Sequence, residues 1–273
     1  MKVKNLLDEN KISDKPQPQQ LPIEVFSPWA NLIIRFKIPD IVFQELEKMY
    51  DYTMNNYKSF GTQLVGQIEH EPEVTQEILQ KYPDWSHFCL DAVRNFVITQ
   101  NNVSMVGEPD KLEAIKREKL LTKINTMWFV NQKPHEYNPI HIHTNCKVSS
   151  ICYLKTPKQQ VKGRKDHYQS DGKVTFTNNT GTDSFFSNAQ ISFEPKAGDM
   201  YVFGALQHHA VWPYRSADPD DVRVSLSFNA DVTTITDLER QNKNMEQAFK
   251  EHQKMKESEN DKSVTDGDIN KSG

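Results

Sequence analysis

His141-Ile142-His143-Thr144-Asn145 leads, two residues later, into the run Val148-Ser149-Ser150-Ile151-Cys152-Tyr153-Leu154. Side chains of an extended segment alternate between its two faces, so His141 and His143 point the same way and can reach one ion. Two imidazoles on one face, entering an apolar strand, suggest a metal centre at the mouth of a β-structure. An HxH pair alone is often a surface or structural pair, so its reading depends on what else the chain supplies.

A third imidazole stands in Phe203-Gly204-Ala205-Leu206-Gln207-His208-His209-Ala210-Val211-Trp212-Pro213. Adjacent residues of a strand face opposite sides, so the register decides between His208 and His209. In an extended segment His209, Val211 and Pro213 share a face, which makes His209 the candidate and His208 an ordinary polar neighbour. Further on, Arg223 lies in the alternating strand Val222-Arg223-Val224-Ser225-Leu226-Ser227-Phe228-Asn229. A guanidinium fork matches a carboxylate in a bidentate pair, and Ser225 on the same face can add a hydroxyl. The plainer alternative pairs Arg223 with Asp220 or Asp221. Tyr153 can bond the same carboxylate through its phenol or serve as a core tyrosine.

A chain of 273 residues is long enough for one large core, and nothing in the pattern divides it into two. Mean hydropathy is −0.72, and no apolar run approaches the roughly 20 residues of a membrane-spanning helix. The first residues, Met1 to Asp8, carry charges before any signal-type apolar stretch forms, which points to the cytoplasm. Cys89, Cys146 and Cys152 are odd in number and lack CxxC spacing, so reduced thiols are expected. A net charge of −4 indicates neither nucleic acid nor an anionic membrane as partner.

Residues 1–20, with Pro16-Gln17-Pro18-Gln19-Gln20, bury little and read as a mobile arm; order is expected from Leu21 onward. Leu32 to Phe36 reads as a first strand. A helix opens at Pro39-Asp40, with Asp40 placed to cap it and Ile41, Phe43, Leu46, Met49 and Tyr50 as its apolar positions. A second is capped by Asp84 and carries Trp85, Phe88, Cys89, Ala92, Val93, Phe96 and Val97 at steps of three and four. After a short charged helix from Glu108 to Lys119 the period changes. From about 124 to 230 short strands alternate with turns at Gly163, Gly172, Gly181 and Pro195 to Asp199. Helices first and strands after predict one α+β domain over 21–240 whose working part is a β-sandwich or barrel. Residues 241–273 form a polar tail. The basic stretch Lys155, Lys158, Lys162, Arg164, Lys165 and His167 reads as a solvated loop beside the mouth.

The HxH, the distal histidine and the terminal-strand arginine stand in an order that resembles the 2-oxoglutarate/Fe(II)-dependent oxygenase superfamily. Closest is a group of bacterial and phage oxygenases with an HxH motif. The matching pieces are His141 to Asn145, Ser149 to Leu154, Pro195 to Asp199 with Val202-Phe203, His209 to Pro213, and Arg223 to Asn229. The resemblance implies a double-stranded β-helix, or jelly roll, with N-terminal helices packed against it. It implies iron on His141, His143 and His209, and 2-oxoglutarate held by Arg223 with Tyr153 and Ser225. The common ligand set has a carboxylate where this chain has His143, so His143 is either a ligand or a group bonded to one.

The activity so implied is hydroxylation of an organic substrate coupled to conversion of 2-oxoglutarate to succinate and CO2, with ascorbate in support. The substrate class stays open among protein side chain, nucleobase and small metabolite. Two rivals remain: a different metal enzyme such as a zinc hydrolase, and a non-catalytic jelly-roll binding module.

Overall fold

The change of period near residue 120 separates a helical part of the chain from a strand-rich part, and the second is built on the first. The structure, a computed structural model, describes residues 31–158, 160–161, 170–178 and 189–265. The arm over 1–20, the onset of order at Leu21, the last residues of the tail from 266, the turns at Gly163 and Gly181, and the basic stretch from Lys162 to His167 lie outside the described residues.

Strand β1 (Ile33–Lys37) precedes helices α1 (Asp40–Asn55), α2 (Gln76–Leu79), α3 (Pro83–Ser104) and α4 (Pro109–Arg117). Then come β2 (Leu120–Gln132), β3 (Asn138–His141), β4 (Val148–Lys155), β5 (Gln160–Val161), β6 (Val174–Thr177) and β7 (Gln190–Phe193). They are followed by β8 (Asp199–Gly204), β9 (His209–Val211), β10 (Arg215–Ser216), β11 (Arg223–Thr234) and helix α5 (Ile235–Thr265).

One sheet has the order β1-β8-β4-β11-β2 and the other β3-β9-β6-β7, while β5 and β10 form a small ribbon. All pairings are antiparallel. Leaving aside β1 and the ribbon, the remaining strands taken in chain order cross repeatedly between the two sheets. This is the double-sheet wrapping of a jelly roll, in an α+β domain.

Alternation along the large sheet sorts its side chains into two cores. Met127 and Phe129 of β2, Cys152 and Leu154 of β4, Met200 and Val202 of β8, and Leu226 and Phe228 of β11 pack with Trp85, Cys89, Ala92, Val93 and Phe96 of α3. The intervening residues Ile151, Tyr153, Tyr201 and Phe203 face inward and meet Val174, Phe176 and Val211 of the small sheet. Strands covered on both faces read as continuous apolar runs, which is why β4 and β8 show little polar alternation. Cys152 and Tyr153 therefore serve opposite faces, as their adjacency requires.

The helices correct three sequence expectations. Asp40 does not cap α1: Pro39 holds the cap position and Asp40 is the first helical residue, where its charge complements the positive helix end. Val42, not Ile41, turns inward, and Ile41 is exposed. Asp84 likewise lies inside the first turn of α3. The cap there comes from another helix, since Trp85 N–H donates to Glu45 Oε2 of α1 at 2.5 Å.

Among the described residues no helix is long and apolar enough to cross a membrane. Helix α5 leaves the sheet after Thr234, and every side chain from Leu238 to Lys256 is exposed. A chain ending at Glu251 is accordingly expected to melt within a degree or so of the full chain, because the described side chains removed, His252 to Lys256, are exposed. A scanning calorimetry comparison checks this; a clear drop would show that the last residues pack on the core.

Candidate metal centre

The end of β3 and the start of β9 are neighbours in the small sheet, and His141 lies directly opposite His209 across that ladder. His143 follows two residues after His141, just beyond the strand, held by its N–H donating to Ala205 O at 2.9 Å. Asn145 with φ 59° then turns the chain toward β4. This local path brings three imidazoles together: one ring nitrogen from each of His141, His143 and His209 lies within 4.8 Å of the others. His143 Nε2 and His209 Nε2 are 3.3 Å apart. His208, half-buried, is not part of the cluster.

Backbone carbonyls orient two of the rings. His141 Nδ1 lies 2.7 Å from Pro139 O and His209 Nδ1 lies 2.9 Å from Gln207 O. A protonated Nδ1 in each case leaves Nε2 with its lone pair, the tautomer a metal requires. Burial lowers all three pKa values: His143 to about 4, with His141 adding to the effect, and His209 to about 3. The rings are therefore neutral near pH 7 and can ligate without first losing a proton. Three nitrogen donors of this kind suit iron, zinc, copper or nickel, and among the described residues no carboxylate belongs to the cluster.

The triad opens on a cavity of about 410 Å³ between the sheets. Its floor is the inner face of β2 and β11, where Trp128 pairs with Ser227 and Val130 with Ser225. A bulge at Asn229/Ala230 adds Asn125 to the same rim. Ser225 reaches the cavity wall; Arg223 and Tyr153 do not, and lie one step farther along the same inner face.

Arg223 is 1% exposed, and among the described residues no carboxylate forms an ion pair with it, Glu194 acting on it only through its charge at longer range. Its Nη1 donates to Gly172 O and its Nη2 to Gln132 Oε1, while Nε makes no hydrogen bond. The pairing with Asp220 or Asp221 considered from sequence does not form: the Asp221 carboxylate accepts from Ser216 and from the Lys158 backbone. The Tyr153 hydroxyl is also without a partner, and burial holds the phenol well above its ordinary pKa, so it is a neutral donor. The arginine lies over the Tyr153 ring at 5.9 Å.

Sequence reading missed Glu71. It lies in the connection between α1 and α2, is 1% exposed, and lines the cavity with both carboxylate oxygens unbonded. Burial, with Glu136 adding, raises its pKa to about 7. His70-Glu71-Pro72 has no periodicity or spacing that would set this acid apart from its neighbours Glu69 and Glu73.

Residues 126–229 match the family model described as "Putative 2OG-Fe(II) oxygenase", a segment that contains the three histidines, Tyr153, Arg223 and Ser225. The matched segment, which holds the histidine triad and most strands of the two sheets, is thus similar to the 2-oxoglutarate/Fe(II)-dependent oxygenases. No curated protein matches the chain. Among solved structures, the chain is similar to a 2OG-Fe(II) oxygenase family oxidoreductase from Burkholderia pseudomallei, at 13% identity and TM-score 0.30. That likeness covers 40% of this chain and 43% of the other, so it spans less than half of that protein. The viral collagen prolyl hydroxylase of Paramecium Bursaria Chlorella virus-1, in its 2OG complex, is 12% identical over 72% of this chain and 94% of its own, with TM-score 0.40. A Pseudomonas putida prolyl-4-hydroxylase is 16% identical over 72% and 91%, again with TM-score 0.40.

Proposed function

We propose that the protein is an Fe(II)- and 2-oxoglutarate-dependent dioxygenase that hydroxylates an organic substrate. The observation that carries this reading is Arg223, a buried guanidinium with no ion pair among the described residues, on the same inner sheet face as a cavity with three neutral imidazoles at its mouth. An uncompensated buried charge is costly, and a carboxylate brought by a co-substrate would supply the missing partner.

In this reading His141, His143 and His209 hold the iron. Arg223 binds the distal carboxylate of 2-oxoglutarate, with the Tyr153 and Ser225 hydroxyls as further donors. Gln132, which accepts from Arg223 and lines the cavity, has to shift to admit that carboxylate. Iron, when bound, supplies the activation of dioxygen. The electrons balance: oxidation of 2-oxoglutarate to succinate and CO2 yields two, oxidation of substrate C–H to C–OH yields two, and dioxygen takes up four. Trp128 and Phe203 wall the triad and exclude water from it. Ascorbate would support turnover by keeping the metal reduced.

The three-nitrogen set without a carboxylate also favours one rival, a zinc hydrolase with an open ligand position. That reading gives Arg223 no task. Metal analysis after anaerobic purification separates iron from zinc. The decisive measurement is succinate formed from 2-oxoglutarate with Fe(II), ascorbate and oxygen, expected above a no-iron control even without the prime substrate. Iron-loaded protein that binds 2-oxoglutarate and yields no succinate would support a non-catalytic binding module instead.

A further inference from the structure

The cavity beside the triad contains a charge that the co-substrate leaves unused. Among the described residues that line it there is no lysine or arginine, and Glu71 is its only acid. Both Glu71 oxygens are buried and unbonded. Leaving a carboxylate without hydrogen bonds forfeits its hydration, so a group that returns those bonds binds with a large advantage.

The surroundings hold the carboxylate in place. The Phe60 N–H donates to Glu71 O at 2.8 Å, and bridges of His70 with Asn131 and Glu73 with Trp128 tie both flanks to β2. Glycines stand where the chain passes the carboxylate: a Cβ on Gly61 would lie 3.1 Å from Oε2, and one on Gly66 would lie 3.4 Å from Oε1. Phe60 and Trp128, which line the same cavity, stack at 5.3 Å between centroids and 30° between planes. Aromatic faces attract cations, and these two offer an apolar wall beside a negative group.

We propose that Glu71 anchors the substrate of this cavity through a protonated nitrogen, so that the substrate class is an amine- or guanidine-bearing molecule. Calling the cavity a substrate chamber rests on the oxygenase reading; the recognition of a cation by Glu71 does not. The carboxylate would accept hydrogen bonds from the nitrogen, the Phe60/Trp128 pair would cover the adjoining carbon chain, and the triad would face a more distant carbon of the same molecule.

The test uses the full chain as isolated, without added iron or 2-oxoglutarate, above the raised Glu71 pKa of about 7. Three probes of nearly equal size are titrated by calorimetry: phenethylammonium, 2-phenylethanol and phenylacetate. A charge-assisted contact of this kind predicts that the ammonium binds at least about tenfold more tightly than the alcohol, with the carboxylate weakest. Glu71→Gln, which keeps the shape and removes the charge, should abolish the preference. Equal affinities in the wild type, no saturable ammonium binding, or a preference that survives in Glu71→Gln would each overturn the assignment. If the variant does not fold, the order of the three probes on the wild type decides alone. A parallel 2-oxoglutarate titration of the Fe(II) protein tests the oxygenase reading, so failure of either is seen separately.

Discussion

His209→Ala is expected to abolish Fe(II) binding, and His141→Ala and His143→Ala are expected to do the same. Among the described residues the three ring nitrogens are the donors that converge, with no carboxylate in the cluster, so in the proposed site each removal takes away one of three ligands. Loss of an outer hydrogen-bond partner commonly weakens metal sites by roughly 10–100-fold, and loss of a ligand should exceed that. Anaerobic titration with Fe(II) reads the effect, with circular dichroism as the control for folding. His143→Ala is the most informative variant, since iron binding and turnover equal to wild type would remove His143 from the ligand set.

The lowered pKa values add a pH signature. Imidazoles with pKa values of about 3 and 4 stay neutral well into acid, so proton competition at His209 and His143 should be weak until the pH nears about 4. The metal-free fold should behave differently. Histidines of the unfolded chain take up protons below their ordinary value near 6.5, while the buried ones refuse them. The unfolded state then binds more protons, and stability is lost as the pH falls from about 6.5 toward 4.

Arg223→Ala should weaken 2-oxoglutarate binding by at least about tenfold, because a charge-assisted hydrogen bond contributes roughly 1.5–3 kcal/mol and the fork can make two. Iron affinity should barely change, since Arg223 lies outside the histidine cluster. Arg223→Lys keeps the charge and loses the planar fork, so it should fall between wild type and alanine. The alanine variant also strips Gly172 O and Gln132 Oε1 of their donor, and a melting temperature measured alongside separates that loss from the loss of co-substrate affinity. The measurement is a titration of the Fe(II) protein without oxygen, followed through its visible charge-transfer band. An unchanged affinity in Arg223→Ala would end the co-substrate assignment.

Much of the architecture was legible because it is local. The stripe of α3 from Trp85 to Phe96 names the helix face that packs on the sheet, and the alternation of Cys152 and Tyr153 assigns each to its core. The two-residue step of an extended segment pointed to His141 and His143 together, but β3 ends at His141 and a bond from the His143 N–H to the distant Ala205 O sets the second ring. The choice of His209 over His208 needed the ladder itself, in which His209 stands opposite His141. Helix caps escaped in the same way: Glu45 reaches Trp85 N–H from another helix, and no rule of local spacing contains that contact.

By itself, then, the amino-acid sequence determined the residue types of the candidate metal centre, the order of helices before strands, and the buried faces of α3 and β4, since these follow from side-chain chemistry and backbone period. Only the tertiary structure decided which distant segments meet. It set Gln132 and Gly172 on Arg223 in place of an aspartate, and it brought Glu71 from an aperiodic connection into the cavity of the triad. The reason is physical: such contacts join groups far apart in the chain, and their proximity is fixed by sheet order and by which loop covers which strand, quantities that no short-range periodicity encodes.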